Sequence, residues 1–454
     1  MNKRTLIVIG IVLIAVILVS SLIVLKTFNS PEGSSVLWQR PIENFATGLA
    51  ADDGKVFTLD INGNAISYDV KTGSSIWNGS TKTGYWSSGL TTSDGRIYAG
   101  GPVASVSCLD ETTGQFQWSF NGQIATDAWD KRAPDDVIVT GGRVFAIDGG
   151  VSAHNATSGE FLWQASPLEP SPNFGEFFGN LTDSKIWWVG AYPLGGFPFE
   201  NNFVYALGGN LSNEFIYKIN TDNGLVLWSS NITLLANPLF PPLVPGFIRS
   251  SLNVLAIYQG QVVIQNGNQI LSLNDTSGDS LWSINVDASI YSPTAYSGVL
   301  LFGASDGNFY GLDLLSGAIS CKTKVDSQNL FTYANDTNTP LVSPIQVDSQ
   351  NQQIYWSFGV NQQNNYKGTI VSLDLATCKV LWTRQVEDSS VSLPVGLVFN
   401  KDSIFLTETN ALWIFNAKTG NLAQNQHFDH YVLVPIASDN EVLVASDLKL
   451  TAYG

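Results

Sequence analysis

From residue 36 onward, apolar and polar positions alternate over short segments such as residues 55–59 and 65–68. The residues between these two segments, 60–64, are rich in Asp, Asn and Gly. A period of two places successive side chains on opposite faces, so each segment predicts a β-strand and each polar cluster predicts a turn. No long amphipathic helix is predicted after residue 26. The pattern therefore indicates an all-β protein.

The N-terminus has a different pattern. Residues 5–25 form a run of 21 residues without a charge, preceded by Lys3 and Arg4 and followed by Lys26. A helix of this length spans about 31 Å, close to the ~30 Å hydrocarbon core of a bilayer. The apolar region of a cleaved signal peptide, which is the alternative, is shorter, at about 7–15 residues. We predict a transmembrane anchor at 5–25.

The charges that flank this run predict its orientation. Because Lys3 and Arg4 precede it, the positive-inside rule leaves residues 1–4 in the cytoplasm and the remainder outside the cell. Residues 26–35, with Pro31 and Gly33, form a short linker. The ectodomain is then 36–454, and we expect a single-pass protein of the cell membrane.

One phrase recurs through the ectodomain: an acidic or amide residue, two variable residues, usually Thr or Ser, then Gly, three variable residues and Trp. Its copies begin at Asp69, Asp110, Asn155, Asn220 and Asn274, and degenerate copies begin at Asp313, Asp374 and Asn416. The spacings run from 39 to 65 residues, which is typical of propeller blades. The Gly allows a positive-φ turn, and the Trp buries a large flat surface.

This phrase resembles the pyrroloquinoline-quinone (PQQ)-like β-propeller repeat over about residues 36–454. The resemblance implies a ring of four-stranded blades, usually eight, although the strand groups here number nine; we expect eight or nine. The last segment, residues 442–453, lacks an outer strand, and residues 33–38 would supply it and close the ring. The resemblance also implies that the Trp of one blade stacks on the Gly turn of the next. The blade-docking residues would be Trp38, Trp77, Trp118, Trp163, Trp228, Trp282 and Trp382.

Two exceptions to the repeat follow one another. Cys321 replaces the Trp of one copy, and Cys378 replaces the Gly of the next. If Trp and turn touch across blades, as the resemblance implies, these cysteines also touch, and an exterior location permits a disulfide. The alternative is two unrelated buried thiols. Cys108, in an apolar strand, is expected to be an inert core thiol.

Charge and composition narrow the possible functions. With 22 Lys+Arg against 38 Asp+Glu, the net charge is -16, which disfavours nucleic acid as a partner. Quinone-dependent dehydrogenases resemble this chain in their repeat, and they often have a disulfide between adjacent cysteines that stacks on the quinone. This chain has no adjacent cysteines and few cationic side chains to hold the quinone carboxylates. We therefore expect neither PQQ nor calcium, and we predict no catalytic or metal-binding residue. His427 and His430 would lie on opposite faces of a strand, which is awkward for a shared metal.

Two long intervals, residues 164–218 and 232–250, interrupt the regular spacing and are rich in aromatic residues. Aromatic side chains with little charge favour protein interfaces, whereas the alternative is that they pack on their own blade. The candidate binding surface consists of Phe174, Phe177, Phe178, Trp187, Trp188, Tyr192, Phe197, Phe240 and Phe247.

Asn-X-Ser/Thr sequons occur at seven positions, a number expected by chance for this composition. An exterior location makes modification plausible, and the expected glycosylation sites are Asn78, Asn180, Asn210, Asn231 and Asn335. Asn155 and Asn274 hold the turn position of the repeat, which favours a structural role.

The sequence thus predicts a membrane-anchored extracytoplasmic propeller that acts as a non-enzymatic protein-binding or assembly scaffold for an envelope or surface protein. A PQQ-dependent or other quinone-linked dehydrogenase of the cell envelope is one alternative. A surface carbohydrate-binding protein, suggested only by the aromatic residues, is another.

Overall fold

The computed structural model describes residues 35–82, 90–101, 105–120, 138–147, 151–165, 185–189, 203–209, 214–232, 252–325, 341–362, 365–387, 394–408, 410–430, 432–438, 440–446 and 448–454. The anchor predicted at 5–25 lies outside them. Across these ranges, no helix is long and apolar enough to span a membrane. The described strands form nine antiparallel sheets, which we number as blades in chain order.

The first four blades follow one another along the chain. They comprise β2 (Ala46–Asp52), β3 (Lys55–Asp60), β4 (Asn64–Asp69) and β5 (Ser75–Ser80) in blade 1; β6 (Leu90–Ser93), β7 (Arg96–Gly101), β8 (Ser105–Asp110) and β9 (Phe116–Phe120) in blade 2; β10 (Ile138–Thr140), β11 (Arg143–Ile147), β12 (Val151–Asn155) and β13 (Phe161–Ala165) in blade 3; and β14 (Lys185–Val189), β15 (Phe203–Gly209), β16 (Glu214–Asn220) and β17 (Val226–Ile232) in blade 4.

The next four blades continue the series. They comprise β18 (Leu252–Tyr258), β19 (Gln261–Asn266), β20 (Gln269–Asn274) and β21 (Ser280–Asn285) in blade 5; β22 (Ile290–Tyr296), β23 (Val299–Ala304), β24 (Asn308–Asp313) and β25 (Ile319–Lys324) in blade 6; β26 (Leu341–Val342), β27 (Gln346–Asp348), β28 (Gln353–Gln362), β29 (Asn365–Asp374) and β30 (Val380–Glu387) in blade 7; and β31 (Pro394–Asn400), β32 (Ser403–Glu408), β33 (Ala411–Asn416) and β34 (Leu422–His427) in blade 8.

Blade 9 closes the ring with both ends of the described chain. It combines β35 (Ile436–Ser438), β36 (Glu441–Ser446) and β37 (Lys449–Tyr453) with β1 (Val36–Pro41), which pairs antiparallel with β37. The prediction of an N-terminal closing strand is confirmed. Of the two predicted blade numbers, nine is correct.

Blade 7 departs from the predicted four strands. Its innermost position is divided between β26 and β27, which both pair with β28. Pro344 lies between them and lacks the backbone N–H that a continuous strand would contribute. The Ser343 hydroxyl compensates by accepting a hydrogen bond from the Ser357 N–H at 2.9 Å. The interruption thus leaves the neighbouring backbone satisfied.

The apolar core is divided among the interfaces between blades. Each of nine clusters of buried side chains joins two consecutive blades, and the cluster with Trp38, Val56 and Leu443 joins blade 9 to blade 1. First strands of different blades contact one another, as β2 does with β6 and β35. The first strands therefore line the axis, and the fourth strands form the outer rim.

The two ends of the ring are built differently. At one end lie the turns between first and second strands, which have two residues in seven of the nine blades, and the Asp/Asn turns between third and fourth strands. The Val70 N–H donates to the Gly54 carbonyl there at 2.9 Å. We call it the turn end. The opposite end, the loop end, holds the turns between second and third strands and the links to the next blade, as the 2.9 Å bond from Thr81 N–H to Gly63 carbonyl shows.

Candidate functional site at the two ends of the ring

The repeated turn is built by its first residue. In blade 1, the Asp69 carboxylate accepts hydrogen bonds from the Thr72 N–H and hydroxyl, both at 2.8 Å. These bonds, the hydroxyl bond foremost, hold the pKa of Asp69 below its ordinary value. Thr113, Ser316 and Thr377 act in the same way on Asp110, Asp313 and Asp374. These carboxylates are engaged in turn formation.

The Gly of the turn is required for two reasons. Gly73 has φ +65°, and a Cβ there would lie 2.5 Å from Cδ2 of Trp38 in the preceding blade. The Trp38 indole N–H also donates to the Val70 carbonyl at 2.8 Å. Each such contact joins the outer strand of one blade to the turn of the next.

All seven tryptophans chosen from the sequence lie on such turns. Trp38, Trp77, Trp118, Trp163, Trp228, Trp282 and Trp382 contact Gly73, Gly114, Gly159, Gly224, Gly278, Gly317 and Gly420, respectively. Two of the indole nitrogens depart from the common hydrogen bond. Trp118 has no partner for its N–H in the part of the chain described, and the corresponding Ala156 carbonyl accepts a hydrogen bond from the Tyr98 hydroxyl at 3.1 Å. The Trp282 N–H donates to the Gln261 side chain at 3.1 Å.

Blades 6 and 7 are joined by sulfur instead of an indole. Cys321 and Cys378 form a disulfide with a Cα–Cα distance of 5.9 Å. Cys378 has φ +55°, the conformation that Gly adopts in the other turns. The disulfide thus occupies the position of a Trp-on-Gly contact.

Among the described residues, blades 8 and 9 have neither device, because Gln424 stands at the Trp position. The Tyr453 ring instead lies against Phe405, with 5.8 Å between ring centroids, and its hydroxyl donates to Gln426 at 3.2 Å. Aromatic packing therefore joins this pair of blades.

Charged side chains add inter-blade contacts that the repeat does not reveal. Lys218 is buried, and its ammonium group lies 2.8 Å from the Asp275 carboxylate of the next blade and 4.1 Å from the Phe203 ring centroid. The Tyr205 hydroxyl donates to the same carboxylate, and burial, foremost, raises the pKa of Tyr205. Lys55 and Glu111 pair at 3.0 Å between blades 1 and 2.

Arginines two positions after Trp provide a further contact. The Arg40 guanidinium donates to the Thr72 carbonyl at 2.9 Å, and Arg384 donates to the Thr419 carbonyl at 2.8 Å. Their position after Trp38 and Trp382 was a readable signal that the sequence analysis missed. These groups, too, hold neighbouring blades together.

The groups best suited to chemistry, the Cys108 thiol and the imidazoles of His427 and His430, contact apolar or aromatic neighbours. Burial raises the pKa of the Cys108 thiol to about 12, so it is not a thiolate at neutral pH. His427 lies edge-on to Trp413, and His430 contacts Phe45. In the described ranges, no group of three or more His, Cys, Asp and Glu side chains is placed to hold a metal ion.

The candidate binding surface falls almost wholly outside the described residues. This applies to Phe174, Phe177, Phe178, Tyr192, Phe197, Phe240 and Phe247, whereas Trp187 and Trp188 lie on β14. The interval 164–218 is thus not one insertion, because it contains β14, β15 and most of β16 of blade 4. The strands that flank 166–184 and 233–251 meet these residues at the loop end, whereas those that flank 190–202 do so at the turn end.

At the loop end of the ring closure, two small cavities adjoin and share Ile42 and Ala46. One is polar, where Asp60 accepts hydrogen bonds from the Asn44 and Asn64 amides at 2.8 and 2.9 Å. The other is apolar and includes the exposed ring of Phe45. The carboxylate oxygens of Asp60 are engaged within the protein.

The sequons differ in the solvent exposure of their Asn side chains. Asn78 and Asn231 are exposed on outer strands, whereas Asn180, Asn210 and Asn335 lie outside the described residues. The Asn155 and Asn274 side-chain oxygens accept backbone hydrogen bonds in their turns, at 2.8 Å from Thr157 and Thr276. The last two therefore have structural tasks.

Nine sheets in a ring, with Trp-on-Gly contacts at seven of the interfaces between them, define a β-propeller of PQQ-like repeats. Comparison with protein families is consistent with this class. The chain belongs to the PQQ-like family described as "Outer membrane protein assembly factor BamB", whose model matches residues 23–232 and 148–426.

Individual relatives carry the same description. The outer membrane protein assembly factor BamB of Shewanella oneidensis is 24% identical over 314 residues, which cover 62% of this chain and 77% of that protein. The chain matches about half the length, 55%, of the proteins so described from Yersinia pestis and Moranella endobia.

Solved structures support the fold alone. BamB from Moraxella catarrhalis superposes with a TM-score of 0.50 at 13% identity, covering 92% of this chain and 97% of that one. Quinohemoprotein alcohol dehydrogenase from Comamonas testosteroni superposes with a TM-score of 0.51 at 13% identity, covering 93% and 76%. The shared architecture therefore does not distinguish assembly factors from dehydrogenases.

Proposed function

We propose that this protein is a membrane-anchored, extracytoplasmic scaffold that binds a protein partner during assembly of the cell envelope. The observation that carries the proposal is membership of a family whose description is an outer membrane protein assembly factor. The charged and aromatic groups described above join blades, which supports a structural role. The ring is rigid because every blade is docked to both neighbours. Such a framework can present loops to a partner without changing shape.

We place the partner surface at the loop end of blades 3 to 5. The strands that flank residues 166–184 and 233–251 all meet them at that end, and these residues contain Phe174, Phe177 and Phe240. The links into blades 1 and 6, residues 42–45 and 286–289, are far shorter. The links into blades 3 and 7, residues 121–137 and 325–340, are nearly as long but contain a single Phe between them, Phe331. Long links with aromatic residues in one sector favour binding there.

The test is capture of a partner from solubilised membranes by the full chain. Replacing Phe177 and Phe240 together with Ser should abolish capture, whereas Phe161→Ser, a change at an exposed Phe on the outer rim, should not affect it. Capture that survives the double change would contradict the proposed surface. An equal loss of capture in the double variant and in Phe161→Ser would show that capture does not depend on this sector.

We propose further that the protein works without a bound quinone or calcium. The alternative, a quinone-linked dehydrogenase, predicts saturable quenching of Trp fluorescence when PQQ and Ca²⁺ are added together. We expect no saturation at micromolar PQQ. Saturable quenching that requires Ca²⁺ would favour the dehydrogenase. A carbohydrate-binding role rests only on the aromatic residues of the candidate surface, and binding to glycan arrays tests it.

A further inference from the structure

The N-terminal segment joins the ring at its turn end. Ser35 is fixed to the last residue, because its N–H donates to the Gly454 carbonyl and its carbonyl accepts the Gly454 N–H, both at 3.1 Å. From there β1, the fourth strand of blade 9, runs to the loop end. The preceding 34 residues, including the charge-free run at 5–25, are therefore attached at the turn end.

The length of the linker limits which end can face the membrane. Nine residues, 26–34, separate the charge-free run from Ser35, and a chain of that length spans at most about 32 Å when fully extended. A six-residue outer strand such as β5 is about 20 Å long. Reaching the loop end would use most of that span, so attachment at Ser35 favours the turn end as the end nearer the membrane.

Exposed aliphatic side chains recur around the outer rim near its turn end. The second residue of six outer strands is aliphatic and 42–48% exposed, at Leu37, Ile76, Leu162, Leu227, Leu281 and Leu381. Because outer strands begin at the turn end, all six lie near that end. Val36 and Leu37 adjoin Ser35, while Ile76 of blade 1 and the exposed Leu422 of blade 8 flank them.

We propose that the turn end of blades 8, 9 and 1 rests on the bilayer interface through Val36, Leu37, Ile76 and Leu422, and that the loop end points away from the membrane. The inference depends on the anchor in the proposed function. A neutral lipid surface is the occupant, because the chain carries a net charge of -16, which opposes contact with anionic lipid. Burial of aliphatic side chains in the interface stabilises this orientation.

Fluorescence quenching in vesicles tests the orientation. The full chain is reconstituted in phosphatidylcholine vesicles that contain a headgroup nitroxide lipid, with a fluorophore on Lys71→Cys or on Asn62→Cys. Both positions are exposed and lie at opposite ends of blade 1, while Cys108 is buried and the other cysteines are bonded. Quenching should be at least about threefold greater at position 71, the end held near the interface.

The outcomes separate the two proposals. A chain that does not float with vesicles refutes the anchor, and this inference with it. A chain that floats but shows equal quenching at both positions, or greater quenching at 62, refutes the orientation alone.

A matched pair of variants tests the rim contact. Ile76→Asn with Leu422→Asn should lower the quenching at position 71 about twofold by removing aliphatic contact with the interface. Leu227→Asn with Leu281→Asn, on equally exposed rim positions of blades 4 and 5 across the ring, should leave it unchanged. Equal effects of the two pairs would refute contact through blades 8 and 1.

Discussion

The docking contact makes a quantitative prediction through two glycines of blade 2. Gly95 and Gly114 have nearly equal φ values, +72° and +70°. A Cβ at Gly95 meets nothing within 4 Å, whereas a Cβ at Gly114 would lie 2.4 Å from Cε3 of Trp77. Ala substitution at the two positions therefore separates the cost of backbone strain from the cost of displacing the indole.

The expected costs follow from these distances. Gly95→Ala should lower the free energy of unfolding by about 1–2 kcal/mol, the cost of a left-handed conformation for an L-residue. Gly114→Ala incurs the same cost and also forces the buried Trp77 ring outward, which adds about 1–3 kcal/mol of overpacking. It further strains the bond from the Trp77 indole N–H to the Glu111 carbonyl, now 2.8 Å.

Urea denaturation followed by Trp fluorescence and far-UV circular dichroism measures the difference. We expect Gly114→Ala to have the lower midpoint, with Gly95→Ala between it and the unmodified protein. A Trp77→Ala background should remove most of the difference between the two glycine variants. Equal midpoints for Gly95→Ala and Gly114→Ala in the unmodified background would refute the docking role of the indole.

Three further predictions concern the disulfide, acid stability and glycosylation. Non-reducing peptide mapping should find Cys321 linked to Cys378. Replacing both with Ser should lower the free energy of unfolding by up to about 4 kcal/mol, and Cys321→Trp with Cys378→Gly should recover part of that loss. Equal stability of all three proteins would contradict the view that the disulfide takes the place of a Trp-on-Gly contact. Because their folded-state pKa values are depressed, the turn aspartates contribute stability that is full above the unfolded pKa of about 3.9 and is lost as pH falls through the lower folded values. Changing all four to Asn should flatten the loss of stability below about pH 4, and an unchanged acid transition would contradict this; the four are Asp69, Asp110, Asp313 and Asp374. In a host that glycosylates exported proteins, Asn78→Gln and Asn231→Gln should each increase gel mobility, whereas Asn155→Gln and Asn274→Gln should not. The reverse pattern would contradict the assignment from side-chain exposure.

Short-range patterns were the part of this molecule most readable from its sequence. Alternation and turn residues depend on neighbours within a few positions, so strands such as β3 and β4 and the Asp69 turn could be predicted. The pairing of Cys321 with Cys378 could also be proposed, because the repeat aligns consecutive blades. The aromatic residues of the candidate surface were chosen by composition, and most of them lie outside the described residues.

The repeat, the all-β class and the closing strand could be inferred from the order of the residues alone, because each blade encodes the same local geometry. The number of blades, nine, became clear from the folded ring, since ring closure depends on packing between sheets. It also brought Lys218 to Asp275 and Tyr98 to Ala156, contacts between residues 57 and 58 positions apart. Such pairings occur where one blade meets the next, and no local pattern specifies which polar group reaches across.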